Sequence, residues 1–353
     1  KENIYMPELV FGNLLTGSNF DDKKAALTGG RHGYGAKLTN IFSNSFKIEI
    51  YNKKLKQYYK QEWNTNMLNC NKPSIINIAA GSTGSTGSTG SNGSNEIDLT
   101  KELNNFTSIT FEPDLSKFNL NNYDKLTNDA ITGTIEMMKR RVIDIAACVG
   151  NGDNNNNSSS SKSVDVTLNG KLIPINSFSN YIDLFKAKTL TTTTDKSTTN
   201  SHIVATSTST SSSSSKVEID PNPVLYCRVN DRCEVGVMSS PHDKFEQHAF
   251  VNSVWTPRGG SHVNLITQQI ITAIEEQLIK AGKTPTLHMI KSRLMIFLNS
   301  SIENPTFDSQ AKDALATNSI EISRWLKLPQ IYIKNILNNS GIVDNIINDI
   351  EAK

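Results

Sequence analysis

Thr28-Gly29-Gly30-Arg31-His32-Gly33-Tyr34-Gly35-Ala36-Lys37 places glycines and a lysine directly ahead of a run that reads as a helix from about Ala36 to Ser43. Gly33 and Gly35 carry no Cβ, so the backbone can come close to an anion. The free N–H groups and positive dipole end of the helix would point at it. The pattern reads as a phosphate-binding lid with a nucleoside triphosphate as its guest. Similar glycine spacing also occurs in plain turns, so the order of motifs along the chain has to decide.

Upstream stands Pro7-Glu8-Leu9-Val10-Phe11-Gly12-Asn13-Leu14-Leu15-Thr16-Gly17-Ser18-Asn19-Phe20-Asp21, and far downstream Asn304-Pro305-Thr306-Phe307-Asp308-Ser309-Gln310-Ala311-Lys312. In this order the three motifs resemble eukaryotic type II DNA topoisomerase, from residue 1 to residue 350 with low-complexity inserts between. The resemblance implies an α+β chain in two domains. Residues 1–118 would be the C-terminal part of a Bergerat-type ATPase α/β sandwich, of the gyrase, heat-shock chaperone, histidine-kinase and mismatch-repair superfamily. Residues 119–350 would be an α/β transducer domain with a ribosomal-protein-like fold.

The same resemblance assigns site residues by position. Gly17, Ser18 and Asn19 would touch the ribose, and Gly30, Arg31, His32, Gly33, Tyr34, Gly35, Ala36 and Lys37 would wrap the phosphates of ATP. Gln310, Ala311 and Lys312 would reach the γ-phosphate, with Lys312 as the sensor and Gln310 beside it as the catalytic pair. Two positions depart from the eukaryotic pattern. His32 stands where those enzymes carry Asn, as in the bacterial gyrase version, and Ala311 replaces a threonine while leaving the Gln310 amide and Lys312 ammonium in place.

The implied activity is that of an ATP-hydrolysing DNA topoisomerase, an isomerase that passes one duplex through a transient break in another. ATP and Mg2+ would be the cofactors, a homodimer the assembly, double-stranded DNA the partner and the nucleus the compartment. The family's glutamate-bearing helix and its Asp/Asn-Gly-x-Gly adenine segment do not occur in these residues. None of the nine tyrosines sits in a DNA-attacking motif, and residue 1 is Lys rather than Met. A fragment without hydrolysis of its own is therefore expected. Two other readings stay open: a different clamp ATPase of the same superfamily, and a non-catalytic dimerising product of a split or decayed gene.

Composition sets outer bounds. At 353 residues and 37% hydrophobic the chain is long enough for about two domains. A net charge of +2 argues against a chain coated with basic residues, so DNA contact would need a local patch. Lys280, Lys283, Lys291 and Arg293 form one, with a solvated charged face as the alternative. Cys70, Cys148, Cys227 and Cys233 show neither metal nor disulfide spacing and read as small buried hydrophobes. No metal-ligand cluster, secretory signal or membrane span is expected. The remaining histidines, among them His242, His248, His262 and His288, read as surface or capping residues.

Three biased tracts, residues 81–95, 151–161 and 189–215, hold few apolar side chains to offset the entropy of ordering, and read as loops without chemistry. Between them, Leu9, Val10, Leu14 and Leu15 mark one helix face and Leu38, Ile41 and Phe42 another. Strands are expected at Phe46–Tyr51, Tyr58–Trp63 and Ile109–Phe111, closing an antiparallel sheet before a boundary at Pro113–Ser116. The second domain opens with a helix from about Asn128 to Cys148 whose stripe Ile131, Ile135, Met138, Val142, Ile145 reads as core. Val164–Gly170 reads as a strand into a turn, and further strands are expected at Val224–Val229, Glu234–Met238, Gln247–Val254 and Leu294–Asn299. A long helix is expected from His262 to Ala281. Arg258-Gly259-Gly260-Ser261 reads as a turn with Ser261 as helix N-cap, an anion site being the alternative.

Overall fold

The computed structural model describes residues 4–17, 27–30, 33–78, 104–120, 125–150, 164–186 and 223–352, and all three biased tracts lie outside them. The chain divides into two compact units. The first comprises residues 1–24 and 30–135, the second residues 25–29 and 136–353.

The first unit starts with helices α1 (Met6–Gly12) and α2 (Tyr34–Ile41), followed by strands β1 (Ser43–Asn52), β2 (Gln57–Asn64), β3 (Asn69–Cys70), β4 (Ser74–Asn77) and β5 (Phe106–Pro113). The strands form an antiparallel sheet in the order β3-β2-β1-β5, with β4 also pairing β2. Phe46, Ile48, Tyr59 and Trp63 make its core, with Phe11, Ile50 and Met67 packed around them. Period-two alternation explains why Phe46 and Ile48 lie on the same side of β1. The other side is not solvated throughout, since Glu49 and Tyr51 are buried too, and the Tyr58 hydroxyl donates to Glu49 at 2.5 Å. After β5, a 3-10 turn (Leu115–Phe118) begins at Asp114, whose carboxylate accepts from Ser116 N.

Several expectations change here. The expected helix around Leu14 and Leu15 ends at Gly12; Leu15 has φ 60° and both leucines are exposed. The chain instead turns through Thr16, whose hydroxyl donates to Leu9 O and Asn13 O at 2.9 Å each. Helix α2 stops at Ile41, and Ser43 already opens β1. Cys70 is exposed rather than buried, because β3 is a two-residue edge strand.

In the second unit the elements are α3 (Lys125–Val149, whose first turns group with the first unit), β6 (Thr167–Leu168), β7 (Lys171–Leu172), α4 (Phe178–Lys186), β8 (Leu225–Asn230), β9 (Cys233–Ser239), β10 (Glu246–Val251), β11 (Val254–Trp255), α5 (Ser261–Lys280), α6 (Leu287–Ser292), β12 (Leu294–Ser300), α7 (Ser319–Ser323), α8 (Gln330–Asn339) and α9 (Ile342–Glu351). The sheet runs β11-β10-β12-β9-β8, with β10 and β12 parallel and the other pairs antiparallel. Central strand β12 reads Leu-Met-Ile-Phe-Leu because both of its faces are covered. Leu294, Ile296 and Leu298 pack into a core that takes Ile266, Ile270, Ile274 and Leu278 from α5 and Ile336 and Ile346 from α8 and α9. Met295 and Phe297 face a second core built on Ala146, Ala147, Phe178, Tyr181 and Ile182 of α3 and α4.

The stripe expected to bury α3 does not. Ile135, Met138 and Ile145 are exposed, whereas Asp144, Ala146 and Ala147 are buried. Ala146 and Ala147 pack into the second core beside Phe178, Tyr181 and Phe297, so the packed face is the one without a large apolar signature. Arg141 supports it by pairing with the fully buried Asp144 at 3.0 Å. The expected strand Gln247–Val254 is broken by a tight turn at Asn252 (φ 51°) and Ser253 (φ 63°) into β10 and β11. Asn169 (φ 52°) and Gly170 (φ 75°) make the equivalent turn between β6 and β7. No helix among the described residues is long and apolar enough to cross a membrane.

His262 is an interior group rather than a surface or capping one, and His248 is half-buried. His248 stacks on Phe297, its ring centroid 5.3 Å away, and its Nδ1 lies 3.1 Å from Arg140 Nη2. His262 is fully buried in the first turn of α5, with Nε2 3.4 Å from Thr256 Oγ1 and Nδ1 without a hydrogen-bond partner among the described residues. Burial pushes its pKa down to about 3. An unfolded histidine takes up its proton near pH 6.5, so between these limits the unfolded chain binds more protons and stability falls as pH drops, by up to about 1.4 kcal/mol per unit. Replacing it by a side chain that does not titrate should flatten that dependence. In urea unfolding from about pH 7 down to about pH 4.5, the stability difference between wild type and His262→Gln is expected to narrow steadily.

Candidate functional site

Helix α2 grows out of Gly33, which occupies the left-handed region (φ 67°, ψ 21°) as its N-cap residue. Only a residue without Cβ takes that conformation at little cost. There is also no room for a side chain, since a Cβ on Gly33 would stand 3.1 Å from Lys37 Nζ and 3.2 Å from Gly17 Cα. These distances place three of the sequence-assigned residues, Gly17, Gly33 and Lys37, at one spot beside the N-terminus of α2. Thr16, Asn13 and Glu8 brace the approach to Gly17: Thr16 through its two carbonyl contacts, and Asn13 Nδ2 by donating to Glu8 O at 3.2 Å.

Lys37 is 2% exposed, and no hydrogen bond or ion pair to its ammonium is present among the described residues. Burial holds its pKa below the ordinary lysine value. A cation in that state is stabilised by an anion that replaces its lost hydration. The backbone N–H groups of the first turn point the same way as that ammonium does chemically, toward negative charge.

Tyr34, Gly35 and Ala36 lie in the first turn of α2, and Gly30 sits just ahead of the residues not described. Ser18, Asn19, Arg31 and His32 lie outside the described residues. Gly33 and Gly35 read alike in the sequence but differ in structure. Nothing lies within 4 Å of a Cβ built on Gly35, and its φ is not positive.

Gln310, Ala311 and Lys312 belong to the second unit, on a loop from Asp308 to Ala314. Gln310 and Ala311 are exposed and Lys312 is half-buried. The base of the loop is the bridge between Phe307 and Leu315. Asp308 closes it by accepting from Ala314 N at 3.2 Å and pairing with Arg258 at 3.0 Å. The loop rests on the Gly259–Gly260 turn. Leu315 N donates to Gly259 O and Ser261 N to Leu315 O, each at 3.0 Å, and a Cβ on Gly260 (φ 126°) would fall 2.3 Å from Leu315 O.

The Arg258–Ser261 segment is thus a turn, as read from the sequence, but its purpose is to seat this loop. The N-cap is Gly260 rather than Ser261, and no side chain caps α5. Sequence reasoning missed Arg258, Gly260 and Asn252 as parts of the site's support. The signals were there in the paired glycines and in the Asn-Ser pair breaking an apolar run.

Lys312 has φ 62°, donates its ammonium to Gly29 O, and lies 5.8 Å from the centre of the Phe307 ring. Burial lowers its pKa as well. Among the basic residues considered for DNA, Arg293 is engaged by Asp349 at 2.6 Å and by Asp243, and Lys283 by Glu351 at 2.7 Å. Lys291 lies 5.0 Å from the centre of the Phe245 ring. No three His, Cys, Asp or Glu side chains converge to hold a metal ion among the described residues.

A partial ATPase sheet with a glycine-capped helix, joined to a mixed sheet that carries a lysine loop, defines a segment of ATPase-plus-transducer type. The DNA gyrase B family matches residues 175–353. DNA topoisomerase 2 of Arabidopsis thaliana is 37% identical over 100% of this chain, and the chain spans 20% of that relative's length. The ATPase region of Saccharomyces cerevisiae topoisomerase II superposes with a TM-score of 0.72 at 33% identity, over 100% of this chain and 72% of that structure. The ATPase and transducer domains of DNA topoisomerase II from Balamuthia mandrillaris give 0.71 at 30% identity, over 99% and 72%. The chain belongs to the type II DNA topoisomerase family and corresponds to part of its ATPase and transducer region.

The environment of Gly33 predicts a sharp contrast. Gly33→Val forces a β-branched residue into the left-handed region and against Lys37 and Gly17, and should weaken binding of a non-hydrolysable ATP analogue by about tenfold or more. Gly35→Ala meets open space in a helix and should keep affinity while stabilising the fold by about 0.5 kcal/mol. Calorimetric titration of both variants checks the pair.

Proposed function

We propose that this chain binds the phosphates of ATP at Gly17, Gly33 and Lys37 and couples nucleotide state to closure of a dimeric DNA clamp in a type II topoisomerase. The observation that carries the reading is the buried Lys37 side chain, whose Nζ lies beside Gly33 at the N-terminus of α2, with Gly17 against the same glycine. The residues fit a polyphosphate: a glycine at positive φ, the N–H groups of a helix N-terminus and a buried lysine are what an anion of that kind requires. Ser18, Asn19, Arg31 and His32 complete the set by their place in the motifs. When bound, ATP supplies the γ-phosphoryl group whose presence or loss the chain reports.

The chain's own part in this is positional. Lys37 holds charge against the phosphates, and Lys312, with Gln310 beside it, senses the γ-phosphate from the transducer, residues 119–350, while residues 1–118 form the ATPase part. Any magnesium we place on the triphosphate oxygens rather than on side chains of this chain. Strand passage, dimerisation, action on double-stranded DNA and a nuclear location follow from the same reading. For DNA, the proposal rests first on Lys280 and Lys291, because Lys283 and Arg293 are held in ion pairs with carboxylates. We also propose that the segment alone does not hydrolyse ATP, since the glutamate-bearing motif of the family is not among its residues.

The test is Lys312→Ala in the full-length protein that carries this chain. A residue that meets the γ-phosphate only in the closed state should lower kcat for ATP hydrolysis about tenfold or more and leave the ADP dissociation constant within about threefold. Loss of ADP affinity with normal turnover would contradict the assignment.

A further inference from the structure

Thr28 and Gly29 stand immediately before the glycine-rich segment, yet they group with the second unit. Two successive carbonyl oxygens there are held by side chains far away in sequence. Asn252 Nδ2 donates to Thr28 O at 3.2 Å, and Lys312 Nζ donates to Gly29 O. Gly29 is also pressed onto β11, where a Cβ would lie 2.5 Å from Val254 Cγ2 and 3.2 Å from Asn252 O.

Asn252 is itself fixed. It occupies the left-handed position of the β10–β11 turn (φ 51°), which asparagine tolerates better than most residues. Its amide clasps the end of β12, with Nδ2 donating to Ile302 O and Oδ1 accepting from Ile302 N, both at 2.8 Å. One side chain thus bridges the sheet end to the Thr28 carbonyl, with the β11 side chain Val254 against the next residue.

We propose that Thr28–Gly29 is a backbone latch, with Asn252 the positioning residue that holds it where Gly29 O serves as the resting acceptor of the Lys312 ammonium. A neutral carbonyl is a weaker acceptor than a charged phosphoryl oxygen, so Lys312 is retained without being trapped. The latch rests on the reading of Lys312 as a γ-phosphate sensor. It adds that the sensor is poised by the entry to the glycine-rich segment, and that Asn252, which touches no nucleotide in this account, sets that position.

The experiment uses the full-length protein that carries this chain, with four latch variants and Lys312→Ala for comparison. Gly29→Ala drives a methyl into Val254 without touching the Asn252–Ile302 clasp, and Val254→Ala alone is the control for folding. Combining Gly29→Ala with Val254→Ala restores room, and Asn252→Asp removes the donor to Thr28 O. Hydrogen–deuterium exchange of the peptide spanning residues 27–37, without nucleotide, should rise several-fold in Gly29→Ala and Asn252→Asp and return toward wild type in the double variant. Hydrolysis should fall about tenfold in the first two, with the ADP dissociation constant within about threefold, and recover in the double variant. Wild-type exchange and turnover in Gly29→Ala and Asn252→Asp, with Lys312→Ala slowed, would overturn the latch alone. Wild-type turnover in Lys312→Ala would overturn the sensor reading and the latch with it.

Discussion

The burial of a lysine side chain against a glycine in the left-handed region is the constraint on which the start of α2 depends. Lys37 is almost fully buried on α2, and its desolvation disfavours the charged form. Burying a cation costs several kcal/mol unless it is paired. The helix cannot relieve this by turning Lys37 outward, because the same helix buries Asn40, whose amide donates to Phe11 O at 3.2 Å. The position of Gly33, crowded by Lys37 Nζ and by Gly17, follows from the same burial. In the proposed reading, an anion bound beside Lys37 replaces the hydration that burial removes.

In the second unit the corresponding constraint is backbone contact. Leu315 and Gly260 approach so closely that any side chain at Gly260 would collide with the main chain of Leu315. That contact pins the Asp308–Ala314 loop to the start of α5, whose other end is anchored through Ile270, Ile274 and Leu278 in the main core. Lys312 projects from a short, braced loop, with Asp308 tied at one end to Arg258 and to Ala314 N. A lysine on such a support loses less freedom on meeting its target than one on an open loop.

Much of this was legible in the residues. The lid, the upstream Ser-Asn segment and the Gln-Ala-Lys loop identify the family, and the alternating strands β1 and β2, the apolar run of β12 and the long helix α5 all lie within a few residues of where their patterns place them. What patterns missed has a common physical cause. The packed face of α3 uses Ala146 and Ala147, small side chains that carry little apolar signal, while Ile135, Met138 and Ile145 lie on the exposed side. His262 is interior although histidine as a type is ambiguous. Asn252 and Ser253 turn the chain inside what reads as one continuous strand, because side chains that tolerate positive φ leave no periodicity. Gly29, Gly33 and Gly260 are indistinguishable from flexible glycines until the atoms that crowd them are known.

The central claim is that Lys37 is a buried cation awaiting polyphosphate, and thermal unfolding of Lys37→Met with and without a non-hydrolysable ATP analogue tests it most directly. The substitution exchanges a buried lysine for an apolar side chain of similar length. The account predicts that Tm without nucleotide is kept or rises, while the rise produced by the analogue is largely lost. A Tm that falls without nucleotide, together with an undiminished response to the analogue, would contradict it.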